Sequence, residues 1–339
     1  MQPQVREQIE LLQIQEEILR RVNPHFYLEQ VPVLIDLLGG GISRFVPNFP
    51  QQYIWDNYVQ ETYVKNLPLR VVILKARREG VSSYFDYLMW HKCRHLPGMT
   101  GLIMSHDKDA SHELYRRVRL YEYSADQVEG EKEKIHSSRK EIEYALPHRS
   151  KIYFMEANTL TYLDAENFAR GAAIQMIHLS EVARYDPKKV ELIFQGLLPI
   201  VTYDPNTMIV KESTARYNSG AFYEDFWKAW YGESRELGIF LPWFYYIDYR
   251  MKVDGFKLST EDRSLRAKVD DTYGVILEDI QLAWYRYAYE EICRGSLVRL
   301  HQEFPSFPEE AFTSTGTSFF DPTTVKKFEP DDNYEVVSL

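Results

Sequence analysis

A basic segment broken by a glycine follows an apolar stretch and has the residue types that bind phosphate. The sequence reads LRVVILKARREGVSS at 69–83. The aliphatic residues predict a strand, Gly80 would let the backbone turn around an anion, and a helix beginning near Ser82 would direct free N–H groups at it. The pattern predicts a phosphate-binding loop, although a strand-to-helix turn with solvated cations would look the same. Its cations are Lys75, Arg77 and Arg78.

The segment matches the phosphate-loop pattern G-x-x-x-x-G-K-[ST] only in part. When Gly80 is aligned with the second glycine, Lys75 takes the place of the first glycine and Val81 that of the lysine. Ser82 then falls on the hydroxyl that binds magnesium. The loop alone is therefore a weak signal, and a second element is needed to give it a function.

That second element is a carboxylate at the end of another apolar segment. Residues 172–179 (AAIQMIHL) predict a strand, and Ser180 and Glu181 follow it. At the end of such a strand, Glu181 would sit beside the loop after a parallel neighbour. ATPases of this architecture place there the glutamate that orients and deprotonates the attacking water. Glu181 could instead be a surface acid that caps the next segment, but the phosphate loop favours the catalytic interpretation.

Length and pattern favour a large α/β unit followed by helices. The 339 residues exceed one typical domain. Strands at 71–75 and 101–105 alternate with helices at 82–95 and 108–123, the rhythm of a parallel sheet. Further strands are expected at 151–155, 174–179, 208–212 and 239–245, with a charged, mobile insertion at 126–143. We expect a helical extension at 1–48, a nucleotide-binding domain at 49–250, a helical subdomain at 251–316 and a linker at 317–339.

Composition excludes several classes of protein. The net charge of −10 argues against indiscriminate coating of nucleic acid. Two cysteines supply neither a disulfide framework nor a zinc cluster, which fits a reducing compartment. No apolar run approaches the length of a membrane span, and the N-terminus is too polar for a secretory signal. Residues 5–22 predict an amphipathic helix that docks on the body of the protein or on a partner.

With both motifs in place, the sequence resembles the large subunit of the terminases, the ATP-driven DNA-packaging motors of tailed bacteriophages. The resemblance is distributed over most of the chain. It implies a P-loop NTPase of the ASCE type: a three-layer fold with a mostly parallel central sheet, followed by a small, mainly helical linker subdomain. The matching segments are 50–52, 75–83, 170–171, 177–183, 212–215, 222–227, 302–306 and 308–312.

The resemblance implies roles for the loop. Many terminases carry the loop lysine at the front of the motif, as Lys75 is here, where it reaches the β- and γ-phosphates. By the same resemblance Arg77 senses the γ-phosphate and Ser82 binds Mg²⁺. Either Gln51 or Gln52 would read the adenine edge. The implied nucleotide-binding set is Gln51, Gln52, Lys75, Ala76, Arg77, Arg78, Glu79, Gly80, Val81, Ser82 and Ser83.

The catalytic residues implied are Glu181, Arg77 and Arg170. Arg170 matches an arginine that some family members insert into a neighbouring subunit's site, where it neutralises charge on the transferred phosphoryl group. It could equally cap the turn before a buried strand, and Arg139 is a poorer candidate for the role. The run Ser213, Thr214 and Ala215 looks like the family's coupling motif, although ordinary strand-end hydroxyls would read the same.

Two departures from the family stand out. Ser180 occupies a position where many such ATPases carry Asp, so Mg²⁺ would be held through Ser82 and water, with Glu181 reaching it through water. The family also carries a C-terminal nuclease domain with two metals. This sequence stops at Leu339, just past the linker. We therefore expect no DNA cleavage by this chain.

The leading hypothesis is an ATPase, with ATP and Mg²⁺ as cofactors, that translocates double-stranded DNA into a preformed capsid. Its expected partners are DNA, the portal protein, the small terminase subunit and further copies of itself in a ring, expected to be a pentamer. It would act in the host cytoplasm, docked transiently on the procapsid portal, without a membrane. The alternatives are a helicase-like translocase and a non-catalytic nucleotide-binding module that docks on capsid proteins.

Overall fold

A computed structural model describes residues 3–37, 40–65, 67–161 and 173–312 of this chain. Its strands are short and alternate with helices. In chain order they are β1 (Leu34–Asp36), β2 (Ile42–Arg44), β3 (Leu69–Lys75), β4 (Thr100–Ser105), β5 (Lys134–Ser137), β6 (Glu141–Tyr144), β7 (Lys151–Glu156), β8 (Met176–Ser180), β9 (Met208–Ser213) and β10 (Leu237–Leu241).

Within the described ranges, eight strands form one sheet in the order β10-β3-β9-β8-β4-β7-β6-β5, and β1 and β2 form a separate antiparallel pair. The six strands from β10 to β7 run parallel, whereas β6 and β5 are antiparallel to their neighbours. Every residue of β3 is buried, as expected for a parallel strand covered on both faces. The predicted α/β fold with a mostly parallel sheet is confirmed.

Helices cover both faces of the sheet and complete three layers. Val71 and Ile73 of β3 belong to the core under helices 81–95 and 108–129, whereas Val72 and Leu74 belong to the core on the opposite face. The α-helices are Pro3–Val22, Pro24–Gln30, Phe49–Ile54, Gln60–Val64, Val81–His95, Lys108–Glu129, Pro187–Leu192, Ala221–Trp230, Thr260–Tyr273, Asp279–Tyr287, Leu297–Glu303 and Pro308–Ala311. π-helical turns occupy Trp55–Val59, Ile193–Leu197 and Ala288–Ile292, and 3₁₀ turns occupy Ala157–Thr159, Val182–Arg184, Leu198–Ile200 and Trp243–Tyr245.

The segment 126–143, expected as a charged insertion, has regular structure. The helix continues to Glu129, and β5 and β6 then form a hairpin at the sheet edge. Its Lys134 is paired with acids of the preceding helix, because Lys134 Nζ lies 3.0 Å from Glu122 Oε1 and 3.2 Å from Asp126 Oδ2. The sequence showed these residues as a charge-rich run, because it does not reveal that their partners lie on the preceding helix.

Two other segments differ from their sequence expectations. The last strand ends at Leu241 and not at 245, because Pro242 has no N–H to continue the ladder. The sequence also predicts that Leu282, Tyr285, Tyr289 and Ile292 share one face of a helix, and the π turn Ala288–Ile292 breaks that face. That turn rotates the later side chains, so that Ile292 is exposed and Cys293 is buried.

The N-terminal helix docks on the body at its C-terminal end, where His91 Nε2 lies 2.8 Å from the carbonyl of Arg20. Apolar side chains nearer its start, including Leu11, Leu12 and Ile14, are more than half exposed. Docking on the body therefore accounts for only part of its apolar surface. None of the helices in the described ranges combines the length and apolarity needed to cross a membrane.

Candidate nucleotide-binding site

The predicted phosphate loop joins β3 to the helix Val81–His95. Gly80 precedes the helix and has a left-handed backbone, with φ of 75°. The conformation favours glycine, and a Cβ at this position would lie 2.6 Å from Nε2 of Gln51, so any other residue would have to displace that amide. The N–H groups of the first helical turn are directed at the loop, which makes it a suitable place for an anion.

The loop forms one wall of a cleft of about 690 Å³. That volume lies within the range of about 300–1,000 Å³ that is typical of small-molecule sites. Residues of the β1–β2 pair, namely Ile35, Asp36 and Arg44, also line the cleft. The cationic side chains of the cleft are Arg44, Lys75, Arg77, Arg78, Arg117 and Arg184, and they favour an anionic ligand.

Gln51 and Asn48 hold the loop from outside. Gln51 Nε2 donates to the carbonyl of Gly80 at 2.8 Å, and Asn48 Nδ2 donates to the carbonyl of Glu79 at 3.0 Å. Gln51 Oε1 accepts from the N–H of Asn48, so both polar ends of Gln51 are used within the protein. Gln52 donates to Asp56 on the surface and does not line the cleft. Adenine recognition by either glutamine stays a prediction.

Lys75 and Glu181 meet at the base of the cleft. Lys75 Nζ lies 2.9 Å from Glu181 Oε1 and 3.2 Å from Glu212 Oε2. The sequence had suggested that the strands of Lys75 and Glu181 are neighbours. They are not, because β9 lies between β3 and β8. The intervening strand contributes Glu212 and Ser213 to the site.

Lys75 is charged although it is almost fully buried, with 4% of its surface exposed. Burial alone would lower its pKa, but the carboxylates of Glu181 and Glu212 raise the pKa above the usual value. A buried ammonium held only by movable side-chain contacts can exchange one carboxylate for a phosphate oxygen. The arrangement therefore suits a phosphate-binding lysine.

Glu181 has an unusual backbone and a defined set of neighbours. Its φ of 58° and ψ of 47° place a non-glycine residue in the left-handed region, a strain that is often found at functional sites. Ser213 Oγ donates to Glu181 Oε2 at 3.4 Å and accepts from the N–H of Ala183 at 3.2 Å. Arg184 Nε lies 3.5 Å from the same carboxylate oxygen.

Ser82 reaches into a buried polar network. Its hydroxyl donates to Glu212 Oε1 at 2.7 Å and accepts from Ser180 Oγ at 3.3 Å. Burial would raise the pKa of Glu212, but Lys75 and His178 hold that pKa well below its usual range. Glu212 is therefore an ionised carboxylate with no exposed surface.

The network continues away from Glu212 as alternating charges. His178 Nε2 lies 3.6 Å from Glu212 Oε1, and His178 Nδ1 donates to Asp86 at 2.8 Å. Arg117 then pairs with the other oxygen of Asp86 at 2.8 Å. Burial opposes a charge on His178, but the hydrogen bond with Asp86 and the nearby carboxylate of Glu212 outweigh it and raise the pKa of His178 to about 9. These pairs fix the base of the cleft.

Arg77 connects the loop to the C-terminal helices. Its Nε lies 3.1 Å from Glu303 Oε2, its backbone N–H donates to the carbonyl of Glu303, and its own carbonyl accepts from Tyr249 at 2.5 Å. Ala76 is packed in the same cluster as Trp243 and Phe304. The loop and the C-terminal helices therefore form one packed unit.

Glu79 is a buried acid within the loop, and its side chain has no exposed surface. Neither carboxyl oxygen has a hydrogen-bond partner. Burial raises the pKa of Glu79 well above its ordinary value, although Lys75 opposes the shift. Burial therefore favours the protonated form of Glu79.

Most of the predicted site residues come together here. Thr214 lines the cleft beside Ser213, and Ala215 packs in the core behind it. Arg170 lies outside the described residues, and Arg139 is exposed between β5 and β6, the strands at the far end of the sheet from β3. Sequence reasoning gave no role in the site to Glu212, Arg184, Arg117 or the His178–Asp86 pair. An acidic residue in the segment MIVKES, whose first three residues are apolar, was a signal that could have drawn attention to Glu212.

The donor atoms around Ser82 fit a magnesium ion in part. Ser82, Ser180 and Glu212 present oxygen atoms, which Mg²⁺ prefers. The described residues contain no group of three or more His, Cys, Asp or Glu side chains that could hold a metal alone. Magnesium usually keeps several waters and uses one or two carboxylates together with phosphate oxygens. These residues would therefore hold it together with a bound nucleotide, where it would neutralise phosphate charge.

Comparison with solved structures places this fold among phage terminases. The HK97 bacteriophage large terminase aligns over 84% of this chain with a TM-score of 0.51 and 11% identity, and the chain spans 55% of that structure. The Thermus phage P74-26 large terminase ATPase domain aligns over 70% of this chain and 87% of its own length, with a TM-score of 0.45 and 15% identity. No protein-family model and no curated protein matches the sequence. This chain therefore shares its fold with the aligned part of the HK97 large terminase, about half of that protein.

Proposed function

We propose that this chain binds and hydrolyses ATP as the motor portion of a phage terminase large subunit. The observation that carries the proposal is the contact of 2.9 Å between Lys75, at the end of the phosphate loop, and Glu181, at the end of β8. The two residues were predicted from separate motifs as phosphate ligand and catalytic base. Their meeting in a cationic cleft at a helix N-terminus supports both roles.

Phosphate binding would begin with an exchange of partners at Lys75. In the structure its ammonium is shared by two carboxylates. A triphosphate in the cleft would offer more negative charge, together with the helix N–H groups beyond Gly80. Lys75 would turn toward the β- and γ-phosphates and release Glu181. Arg78, which lines the cleft, would add cationic charge.

Glu181, once released, is the candidate base. Its carboxylate would accept a proton from a water molecule while the water oxygen attacks the γ-phosphorus. The bond to the β-phosphate oxygen then breaks and leaves ADP and inorganic phosphate. Ser213 would orient the carboxylate through the hydrogen bond at 3.4 Å. Magnesium, held from Ser82, would neutralise charge on the phosphates.

Two contacts could carry the state of the nucleotide to the rest of the protein. Arg77 is paired with Glu303, and a γ-phosphate would compete for its guanidinium. Ser213 ends β9 next to Glu181 and Thr214 follows it, so a change at the carboxylate reaches that strand directly. Both contacts support the predicted sensing role of Arg77 and coupling role of residues 213–215.

The wider role follows from the terminase fold. We propose that hydrolysis drives double-stranded DNA into a preformed capsid, with the portal protein, the small terminase subunit and a ring of further copies, expected to be a pentamer, as partners. The site of action would be the host cytoplasm at the procapsid portal. Arg170 would complete the site of a neighbouring copy. The division at 49–250 and 251–316 remains part of this proposal.

Phosphate release by the purified chain tests the proposal, with duplex and single-stranded DNA added in separate reactions. Glu181→Ala should abolish release and keep ATP binding, whereas Lys75→Ala should lose binding. A mixture of Glu181→Ala and Arg170→Ala proteins should regain activity if the arginine acts across subunits. Stimulation by single-stranded but not duplex DNA would favour a helicase-like translocase. ATP binding without release under all conditions would favour a non-catalytic module.

A further inference from the structure

The acid that the sequence lacks on β8 has a counterpart on the next strand. Ser180 and Glu212 are directly paired in the parallel register of β8 and β9. Glu212 therefore lies at the same level of the sheet as Ser180, one strand closer to the phosphate loop on β3. Glu212 therefore supplies a carboxylate at the level of the sheet where many ATPases of this class carry Asp and this chain carries Ser180.

The contacts of Glu212 aim it at the hydroxyl predicted to bind magnesium. Ser82 Oγ donates to Glu212 Oε1 at 2.7 Å, whereas Ser180 Oγ lies 3.3 Å from Ser82 Oγ. The Ser82 hydroxyl and the Glu212 carboxylate are in contact, and two such oxygen groups can bind the same hard cation. Glu212 also has no exposed surface, so solvent does not compete for its charge.

Glu212 would lose Lys75, one of its two cationic neighbours, when a nucleotide binds. Its Oε2 forms an ion pair with Lys75 Nζ at 3.2 Å and accepts no hydrogen bond. If Lys75 turns to the phosphates, Glu212 loses a cation in a buried position, which is strongly unfavourable unless another cation takes its place. A divalent ion between Ser82, Glu212 and the phosphates would restore the balance.

We propose that Glu212, together with Ser82, supplies the protein carboxylate of the magnesium site in place of residue 180. This inference rests on the proposed nucleotide site and assigns a metal-binding role to a residue to which the sequence motifs gave none. In the competing explanation Glu212 is only a counterion for Lys75 and His178.

The test is the Mg²⁺ dependence of ADP binding, measured by calorimetry with Mg²⁺ and with EDTA. Three variants are compared with the wild type: Glu212→Asp, Glu212→Gln and the double variant Ser180→Asp with Glu212→Gln. Glu212→Asp keeps the charge beside Lys75 and His178 but withdraws the oxygens from Ser82. We expect Mg²⁺ to strengthen ADP binding in the wild type, and this effect to fall by about tenfold or more in both single variants. Binding in EDTA should change little in Glu212→Asp.

The double variant is the decisive arm. An aspartate at 180 would place a carboxylate next to Ser82 from the other side, so it should recover much of the Mg²⁺ effect lost in Glu212→Gln. Bound Mn²⁺ can be counted directly by electron paramagnetic resonance in the presence of ADP. A wild-type Mg²⁺ effect in Glu212→Asp, or no Mg²⁺ effect in a wild type that binds ADP, would overturn the inference alone. A wild type that binds neither ADP nor ATP would instead overturn the proposed function.

Discussion

Lys75 Nζ contacts Glu181 Oε1 at 2.9 Å although the residues are carried by strands that are not adjacent. The strand between them, β9, ends beside both and supplies Glu212 and Ser213. Because the carboxyl ends of parallel strands meet at one edge of the sheet, three strands contribute to a single charged cluster. This relationship links the phosphate loop to the candidate base.

Replacement of Lys75 by Met should remove nucleotide binding and destabilise the protein. The change leaves Glu181 and the fully buried Glu212 without their shared cation, and breaking a buried pair typically costs about 3–5 kcal/mol. Thermal unfolding and fluorescent-ATP binding measure the two effects. Lys65→Met is the matched control, because Lys65 is exposed and pairs only with Glu61 on its own helix. Equal losses in both variants would argue against a special role for Lys75.

Replacement of Gly80 by Ala should distort the phosphate loop. The variant has to accept a left-handed backbone, which costs roughly 1–2 kcal/mol, and its Cβ would also displace Gln51. Gly232→Ala separates the two effects, since Gly232 has φ of 72° but open space around it. We expect both variants to be less stable and only Gly80→Ala to lose ATP affinity. ATP binding unchanged in Gly80→Ala would contradict the loop's assigned role.

Loss of the Glu303 carboxylate should free Arg77 for the γ-phosphate. Glu303→Gln removes a partly exposed ion pair, and such pairs are worth about 0.2–1 kcal/mol. We therefore expect ATP affinity relative to ADP to rise by about 1.5- to 5-fold. Titrations in a Glu181→Ala background avoid hydrolysis during the measurement. Glu290→Gln, at an exposed site, serves as the control. An unchanged ratio of ATP to ADP affinity in Glu303→Gln would show that Glu303 and the γ-phosphate do not compete for Arg77.

Glu79 should make stability depend on pH. Its folded-state pKa is raised by burial, so between the unfolded-state pKa and the folded-state pKa the folded protein binds more protons than the unfolded chain. Stability should then fall with rising pH, by up to about 1.4 kcal/mol per pH unit. Glu79→Gln should raise the melting temperature more at pH 7.5 than at pH 5.5. Glu113→Gln, at an exposed position of the same cleft, should show no such pH-dependent gain. A gain for Glu79→Gln that is equal at both pH values would contradict the burial of a charged form.

The sequence predicted the site residues at the ends of β3 and β8 but not Glu212 on β9, the strand between them. Lys75 and Glu181 could be found because each ends an apolar strand and its type suits phosphate chemistry. Glu212 was missed because strand order is a tertiary property, and nothing local indicates that β9 lies between β3 and β8. The pairing of Arg77 with Glu303 was missed for the same reason, since the partners are more than two hundred residues apart.

Local chemistry also explains which elements were predicted well. β3 has an uninterrupted aliphatic run, and its predicted bounds differ from the structure only at the N-terminal end. The segment 126–143 was misjudged because its lysines and acids read as solvated, whereas Lys134 is buried in ion pairs. Charge alone does not distinguish these environments. Only the contacts between residues distant in sequence show whether a charged side chain is solvated or buried in an ion pair.

The most direct test of the central claim is phosphate release from ATP by the wild type and by Glu181→Gln, measured with Mg²⁺, at high protein concentration and with duplex DNA. ATP binding is measured for both proteins in parallel. We predict that the wild type releases phosphate steadily, while Glu181→Gln binds ATP with similar affinity and releases about a hundredfold less or lower still. Release at the wild-type rate by Glu181→Gln, or no release by a wild type that binds ATP, would contradict the account.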